Sequence, residues 1–188
     1  MKNGFFVSGT ADVFSICGGI TLKGIIFSDT HGKSDGMLRV LDISRDADAV
    51  FFLGDGLNEA EEIACSDRGR TWFAVRGNCD SQYSPLGMDR RDEELVSLCG
   101  VKILICHGHL YNVKYGLGQL ISAARRTSAD AVLFGHTHEP LCEYISDYEK
   151  PFWLFNPGSL SRPASGRGSF GVICIEQGKI LLSHGVAI

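Results

Sequence analysis

The sequence predicts an α/β layered domain with a β-rich second half. Three observations carry this. Short apolar runs bounded by Gly, Asp or Asn alternate with helix-like segments between residues 23 and 135. From 141 onward the segments read as strands alone, and neither repeats nor low-complexity linkers interrupt the chain. Expected strands cover 24–28, 49–53, 71–75, 101–106 and 131–134. A helix beginning near Ser34 turns Met37, Leu38, Leu41 and Ile43 inward. A second helix covers 57–66, and a third spans 114–126 with Leu117, Leu120, Ile121 and Ala124 on one face. Strands at 141–146, 152–155, 169–175 and 179–184 follow, and "EQGK" at 176–179 reads as a hairpin turn joining the last two.

At 188 residues the chain suits one domain with a substantial core. Its 44% hydrophobic and 21% charged residues are ordinary for a globular protein. A net charge of −4 gives no support for a broad nucleic-acid surface, so a large nucleic acid is not the expected partner. No run approaches the roughly 18 apolar residues of a membrane helix. The seven cysteines, Cys17, Cys65, Cys79, Cys99, Cys106, Cys142 and Cys174, form no CxxC pair and mostly sit in apolar runs. Reduced, buried thiols in a cytoplasmic protein are expected. Residues 1–22 carry Asp12 and several glycines without periodicity and make a poor signal peptide. They are read as an N-terminal extension, with the domain at 23–188. Oligomeric state is open, a homo-oligomer included.

The loops after the five early strands hold the informative residues. Asp29 and His31 follow the first, and in an extended chain residues i and i+2 point to the same side. Gly54-Asp55 follows the second and Arg76-Gly77-Asn78-Cys79-Asp80 the third. His107-Gly108-His109 ends the fourth and Gly135-His136-Thr137-His138 the fifth. Each element alone is compatible with a turn, a helix cap or a structural histidine. Yet every strand ends in a group able to ligate a metal, and five of the six histidines lie in three of these loops. Strand-end loops of such folds gather at one edge of the sheet.

The series D-x-H, GD, GN, H, GHxH resembles the calcineurin-like metallophosphoesterase superfamily. The details "SDTHG", "RGNCD", "HGH" and "NPGS" are similar to its small YfcE-type phosphodiesterase branch. The resemblance covers residues 23 to 184. It implies a four-layer α/β-sandwich with two mixed β-sheets flanked by helices, and two neighbouring metal sites at the strand ends. Asp29, His31 and His138 would hold one divalent ion, Asn78, His107 and His136 the other, with Asp55 bridging. Oxygen and imidazole donors without thiolate suit manganese above all, with nickel, iron or zinc as alternatives. Two metals about 3.5–4 Å apart need a shared anionic ligand. Two divalent ions, two carboxylates and a bridging hydroxide leave the centre positive, which attracts a phosphate ester. The resemblance therefore implies hydrolysis of a small phosphodiester by in-line attack of that hydroxide.

One position departs from the wider superfamily pattern. A histidine commonly follows the GN asparagine and assists the leaving group; here Cys79 stands there, a poorer hydrogen-bond donor. His109 is the candidate replacement, since it follows His107 on the same stretch; a supporting hydrogen-bonding role is the alternative. Asn78 and Arg76 are the candidate substrate contacts, with Arg162 a further candidate. "NPGS" at 156–159 is expected to pack the metal loops, while Trp72, Trp153 and Phe155 are expected in the core. Two other readings stay open: a protein-binding scaffold of the same fold, as in a retromer subunit, and a phosphomonoesterase with the same metals. All seven ligand positions being intact favours catalysis.

Overall fold

Strands buried on both faces read as continuous aliphatic runs, and "GIIF", "AVFF", "VKILIC" and "AVL" are of that kind. In the computed structural model, which describes residues 21–146, 148–164 and 166–187, each is a strand. Residues 1–20, nearly all of the expected N-terminal extension, lie outside the described residues. The order is β1 (Leu22–Phe27), α1 (Asp35–Ile43), β2 (Ala49–Phe52), α2 (Leu57–Ser66), β3 (Thr71–Ala74), β4 (Glu93–Leu98) and β5 (Val101–Cys106). A 3₁₀ turn (His109–Tyr111), α3 (Gly118–Thr127), β6 (Ala131–Leu133), β7 (Pro140–Ile145), β8 (Phe152–Pro157), β9 (Ser169–Glu176) and β10 (Lys179–Val186) complete it.

Two five-stranded sheets form, in the orders β10-β9-β1-β2-β3 and β4-β5-β6-β8-β7. Both are mixed. In the first, β1, β2 and β3 run parallel, β9 returns antiparallel to β1, and β10 is antiparallel to β9. In the second, β5, β6 and β8 run parallel between antiparallel β4 and β7. The period of two divides each central strand between two cores. Ile26, Phe51, Leu53, Ile103, Ile105 and Leu133 meet in a core between the sheets. Ile25, Phe27, Val50 and Phe52 pack instead on Met37, Val40 and Leu41 of α1 and Leu57 and Ala60 of α2. Leu104, Cys106 and Val132 pack on Leu120, Ala123 and Ala124 of α3. The result is the expected four layers, helix, sheet, sheet, helix.

Several local expectations change. Glu93–Leu98 forms an edge strand that the sequence reading passed over: its "EELVSL" alternates, burying only Val96 and Leu98. Helix α3 starts at Gly118 rather than near 114. On α1, Val40 replaces two expected core positions, for Leu38 is 47% and Ile43 69% exposed. Cysteines differ too. Among the six described, only Cys106 is buried, while Cys65, Cys79 and Cys142 are exposed. The hairpin is as expected, with Gln177 and Gly178 both at positive φ, the geometry that matches strand twist. Trp72 and Phe155 are buried, and Trp153 packs partly buried against the core between the sheets. No helix among the described residues is long and apolar enough to cross a membrane.

Candidate metal centre

The parallel strands β1, β2 and β3 of one sheet and β5 and β6 of the other deliver their C-terminal loops to one place. The first two loops are joined through the backbone: Asp29 N–H donates to Gly54 O (2.9 Å) and His31 N–H to Asp55 O (2.8 Å). Asp29 and His31 do not converge as alternate residues of an extended strand. Both lie in the left-handed region (φ +57° and +46°), as do Asp55, His136 and His138. Side chains rarely accept that conformation, and Asp and His do so more readily than most. The strain is concentrated on the residues that face one another, as at functional sites generally.

Asp29, Asp55 and His107 are buried, and their donor atoms point inward. Asp29 Oδ1 stands 3.1 Å from His138 Nε2 and 4.0 Å from both His31 Nε2 and His107 Nε2. Asp55 Oδ2 stands 3.5 Å from His107 Nε2 and 3.9 Å from His31 Nε2. His31 Nε2 and His138 Nε2 are 3.3 Å apart. Three groups among the described residues bring their ligand atoms within 4.8 Å of one another: Asp29–His31–His138, Asp29–Asp55–His107 and His31–Asp55–Cys79. Asp55 lies in two of them and so does Asp29. His136 approaches through its ring, 5.0 Å centroid to centroid from His107. Asn78 is exposed beside Cys79, and its Nδ2 donates to Cys79 Sγ at 3.3 Å.

The outer atoms of these candidate ligands are already engaged. His107 Nδ1 faces Leu53 O (2.7 Å) and His138 Nδ1 faces Arg162 O (2.8 Å). A carbonyl can only accept, so these nitrogens carry the proton and Nε2 is left as a lone pair. Asp29 Oδ2 accepts from Ser28 Oγ (2.5 Å) and His136 N–H (3.1 Å), and Asp55 Oδ1 from Cys79 N–H (2.8 Å). What remains is Asp29 Oδ1 and His107 Nε2, both buried with no hydrogen-bond partner among the described residues. Buried polar atoms are ordinarily paired, and lone pairs gathered at these distances repel unless a cation lies among them. The donor set, carboxylate oxygen and imidazole nitrogen, fits divalent manganese, iron, nickel or zinc.

Without a cation, the same demand for positive charge appears as proton affinity. The Asp29 carboxylate beside His138 raises that imidazole above its ordinary pKa. Burial opposes charge on His107, but the carboxylates of Asp55 and Asp29 outweigh it and raise this group as well. Burial alone would raise Asp55, yet His107 and the N–H of Cys79 hold it well below the carboxylate range. His136 is pushed down to about 4 by burial and by His107. The Cys79 thiol is pushed up to about 11, by burial first and then by Asp55.

The remaining candidates are placed as follows. His109 joins the cluster, its ring 5.4 Å from that of His107 and 6.1 Å from that of His136, with Nδ1 buried and without a hydrogen-bond partner among the described residues. Burial first and then the nearby His107 lower the pKa of His109; Asp92 opposes this and Arg76, which pairs with Asp92, adds to it. Arg162 lends its backbone oxygen to His138, and its charge reaches His31. The "NPGS" loop packs the centre as expected. Asn156 Nδ2 donates to Gly135 O (2.9 Å), and Ser159 Oγ donates to Asp29 O (2.7 Å). Sequence reading missed Asp80, whose carboxylate ties two of the ligand loops; its place in "RGNCD" was the available signal.

The chain and its fold are similar to those of known proteins. A probable metallophosphoesterase of Bacillus subtilis, YsnB, is 29% identical over 155 residues, covering 81% of this chain and 84% of that protein. A predicted phosphoesterase of Streptococcus pneumoniae has a similar fold (TM-score 0.73, 24% identity, 89% of this chain and 91% of that one). The phosphoesterase YfcE of E. coli also does (TM-score 0.62, 24% identity, 89% of this chain and all of that one). Residues 22–178 match the calcineurin-like phosphoesterase superfamily domain, and the chain belongs to that family, whose members bind divalent metal.

Proposed function

We propose that this chain is a phosphodiesterase that hydrolyses a small phosphodiester with two divalent cations, manganese first among them. The observation that carries the reading is the pair of buried, unpartnered donors, Asp29 Oδ1 and His107 Nε2, with donor atoms of His31, Asp55 and His138 gathered around them. Asp29, His31 and His138 would hold one ion, Asn78, His107 and His136 the other, with Asp55 shared. When bound, the ions supply Lewis-acid stabilisation of the phosphoryl oxygens and activation of the attacking water.

The chain's own residues do the rest. Leu53 O and Arg162 O fix two imidazoles with Nε2 inward, so the ligand set is oriented before any ion arrives. Asn78, exposed beside Cys79, would meet the ester, and Arg76, paired with Asp92, would contact it from the His109 side. We assign proton delivery to the leaving group to His109, because Cys79 is the weaker donor. That replacement favours diesters over monoesters. The catalytic unit is residues 23–188.

The test is hydrolysis of bis-para-nitrophenyl phosphate by metal-stripped protein, with and without added manganese, beside Asp55→Asn. Turnover is expected only with metal. The variant should fall by more than about 100-fold, since even partners outside the ligand shell typically cost 10–100-fold. Folded protein with no turnover on manganese, nickel, iron or zinc would move the reading to a binding scaffold.

A further inference from the structure

Two of the ligand loops approach so closely that side chains are excluded between them. A Cβ on Gly54 would stand 2.5 Å from Gly77 N, and one on Gly77 would run into the Asp55 carboxylate and stand 2.5 Å from Asp55 N. Backbone packed that tightly leaves N–H groups in need of acceptors. Asp80, two residues beyond Asn78, supplies them. Its Oδ2 accepts from Asp55 N–H (2.7 Å) and Gly77 N–H (2.9 Å). Its Oδ1 accepts from Gly56 N–H (2.8 Å) and Leu57 N–H (2.9 Å). The last two are free donors at the start of α2, where Gly56 has no side chain to offer. Asp80 N–H in turn donates to Gly77 O (3.3 Å), closing a turn around Asn78.

We propose that Asp80 is a positioning residue that sets the spacing between Asp55 and Asn78, and with it the pairing of the two cations. The inference rests on the two-cation reading above. One carboxylate binds donors from both loops, so neither loop can shift without losing charge-assisted hydrogen bonds. A second tie between them, Cys79 N–H to Asp55 Oδ1, falls on the ligand itself and cannot hold the loops independently of it. An amide at position 80 keeps only one acceptor oxygen. Whichever way it turns, two of the four N–H groups then face an NH₂ donor.

Asp80→Asn tests this in the whole protein through two readouts besides turnover. In metal-free protein, amide hydrogen exchange at Asp55, Gly56, Leu57 and Gly77 should quicken. With two equivalents of manganese, the exchange-coupled electron paramagnetic resonance signal of an ion pair should give way to that of an isolated ion. Affinity for the second ion should weaken by about 10–100-fold. A variant that only melts earlier, with coupled signal and second affinity unchanged, overturns the inference and leaves the two-cation reading standing. Wild-type protein that binds a single manganese, or none, overturns both. If Asp80→Asn does not fold, Asp80→Glu keeps the charge and both acceptors but moves them by one methylene. It too should weaken the second ion, and a wild-type second affinity there counts against the inference.

Discussion

The two sheets contribute to the centre in different ways. The loops of β1, β2 and β3 bring the two acids, Asn78 and one histidine, and are bound to one another mainly through the backbone. The loops of β5 and β6 bring four histidines, anchored largely through ring nitrogens or single contacts: His107 to Leu53 O, His138 to Arg162 O, and His136 N–H to Asp29. Acids need rigid backbone because a buried carboxylate is stable only where N–H donors or cations surround it. An imidazole needs only one acceptor at its far nitrogen to fix its tautomer and direction. The acid half is therefore a fixed frame, against which the histidines are aimed.

The largest expected effect that would sharpen this contrast lies behind the acid half. Arg90 and Glu61 pair at 2.7 Å with both side chains only 1% exposed, and Arg90 also reaches Ser81 O and Asn58 Oδ1. The pair fastens the loop between β3 and β4 onto α2. Arg90→Met should cost about 3–5 kcal/mol in urea unfolding, as expected when one partner of a buried ion pair is removed. A loss below 1 kcal/mol would show that the frame does not depend on it. Gly77→Ala comes next. Its methyl group meets Asp55, so stability should fall by about 1–3 kcal/mol and manganese binding should fall with it.

On the histidine side, losses should be smaller. Ser159 Oγ donates to Asp29 O and accepts from Arg162 N–H at 2.8 Å, so it steadies the segment that carries the His138 acceptor. Ser159→Ala should cost about 1–2 kcal/mol, the penalty of buried groups left unpaired. A loss from Ser159→Ala that exceeds the loss from Gly77→Ala in the same urea series would erase the distinction between frame and aimed histidines.

Much of the fold was legible because parallel strands buried on both faces show as unbroken aliphatic runs. β4 was not. Its "EELVSL" lies at a sheet edge, where one face meets solvent and charged residues are tolerated. Leu38 and Ile43 were misplaced on α1 because the inward face is set by the packing of Met37, Val40 and Leu41 on β1 and β2. The cysteines misled for a similar reason. Cys142 lies on edge strand β7, where an apolar neighbourhood in sequence does not mean burial.

The candidate ligands were readable as residue types at strand ends, since the alternation of strands and helices already places those loops on one edge. How Asp29 and His31 converge was not, for their left-handed turn is held by hydrogen bonds to Gly54 and Asp55 in another loop. Nor was the work of Asp80, whose four donors come from residues up to twenty-five positions away. By itself, then, the sequence determined which strands form and which donors stand at their ends, because both follow from local periodicity and composition. Only the tertiary structure decided which atoms of those donors face inward and which are spent on support. Hydrogen-bond partners across loops are chosen by the packing of two sheets, and no stretch of chain carries that choice alone.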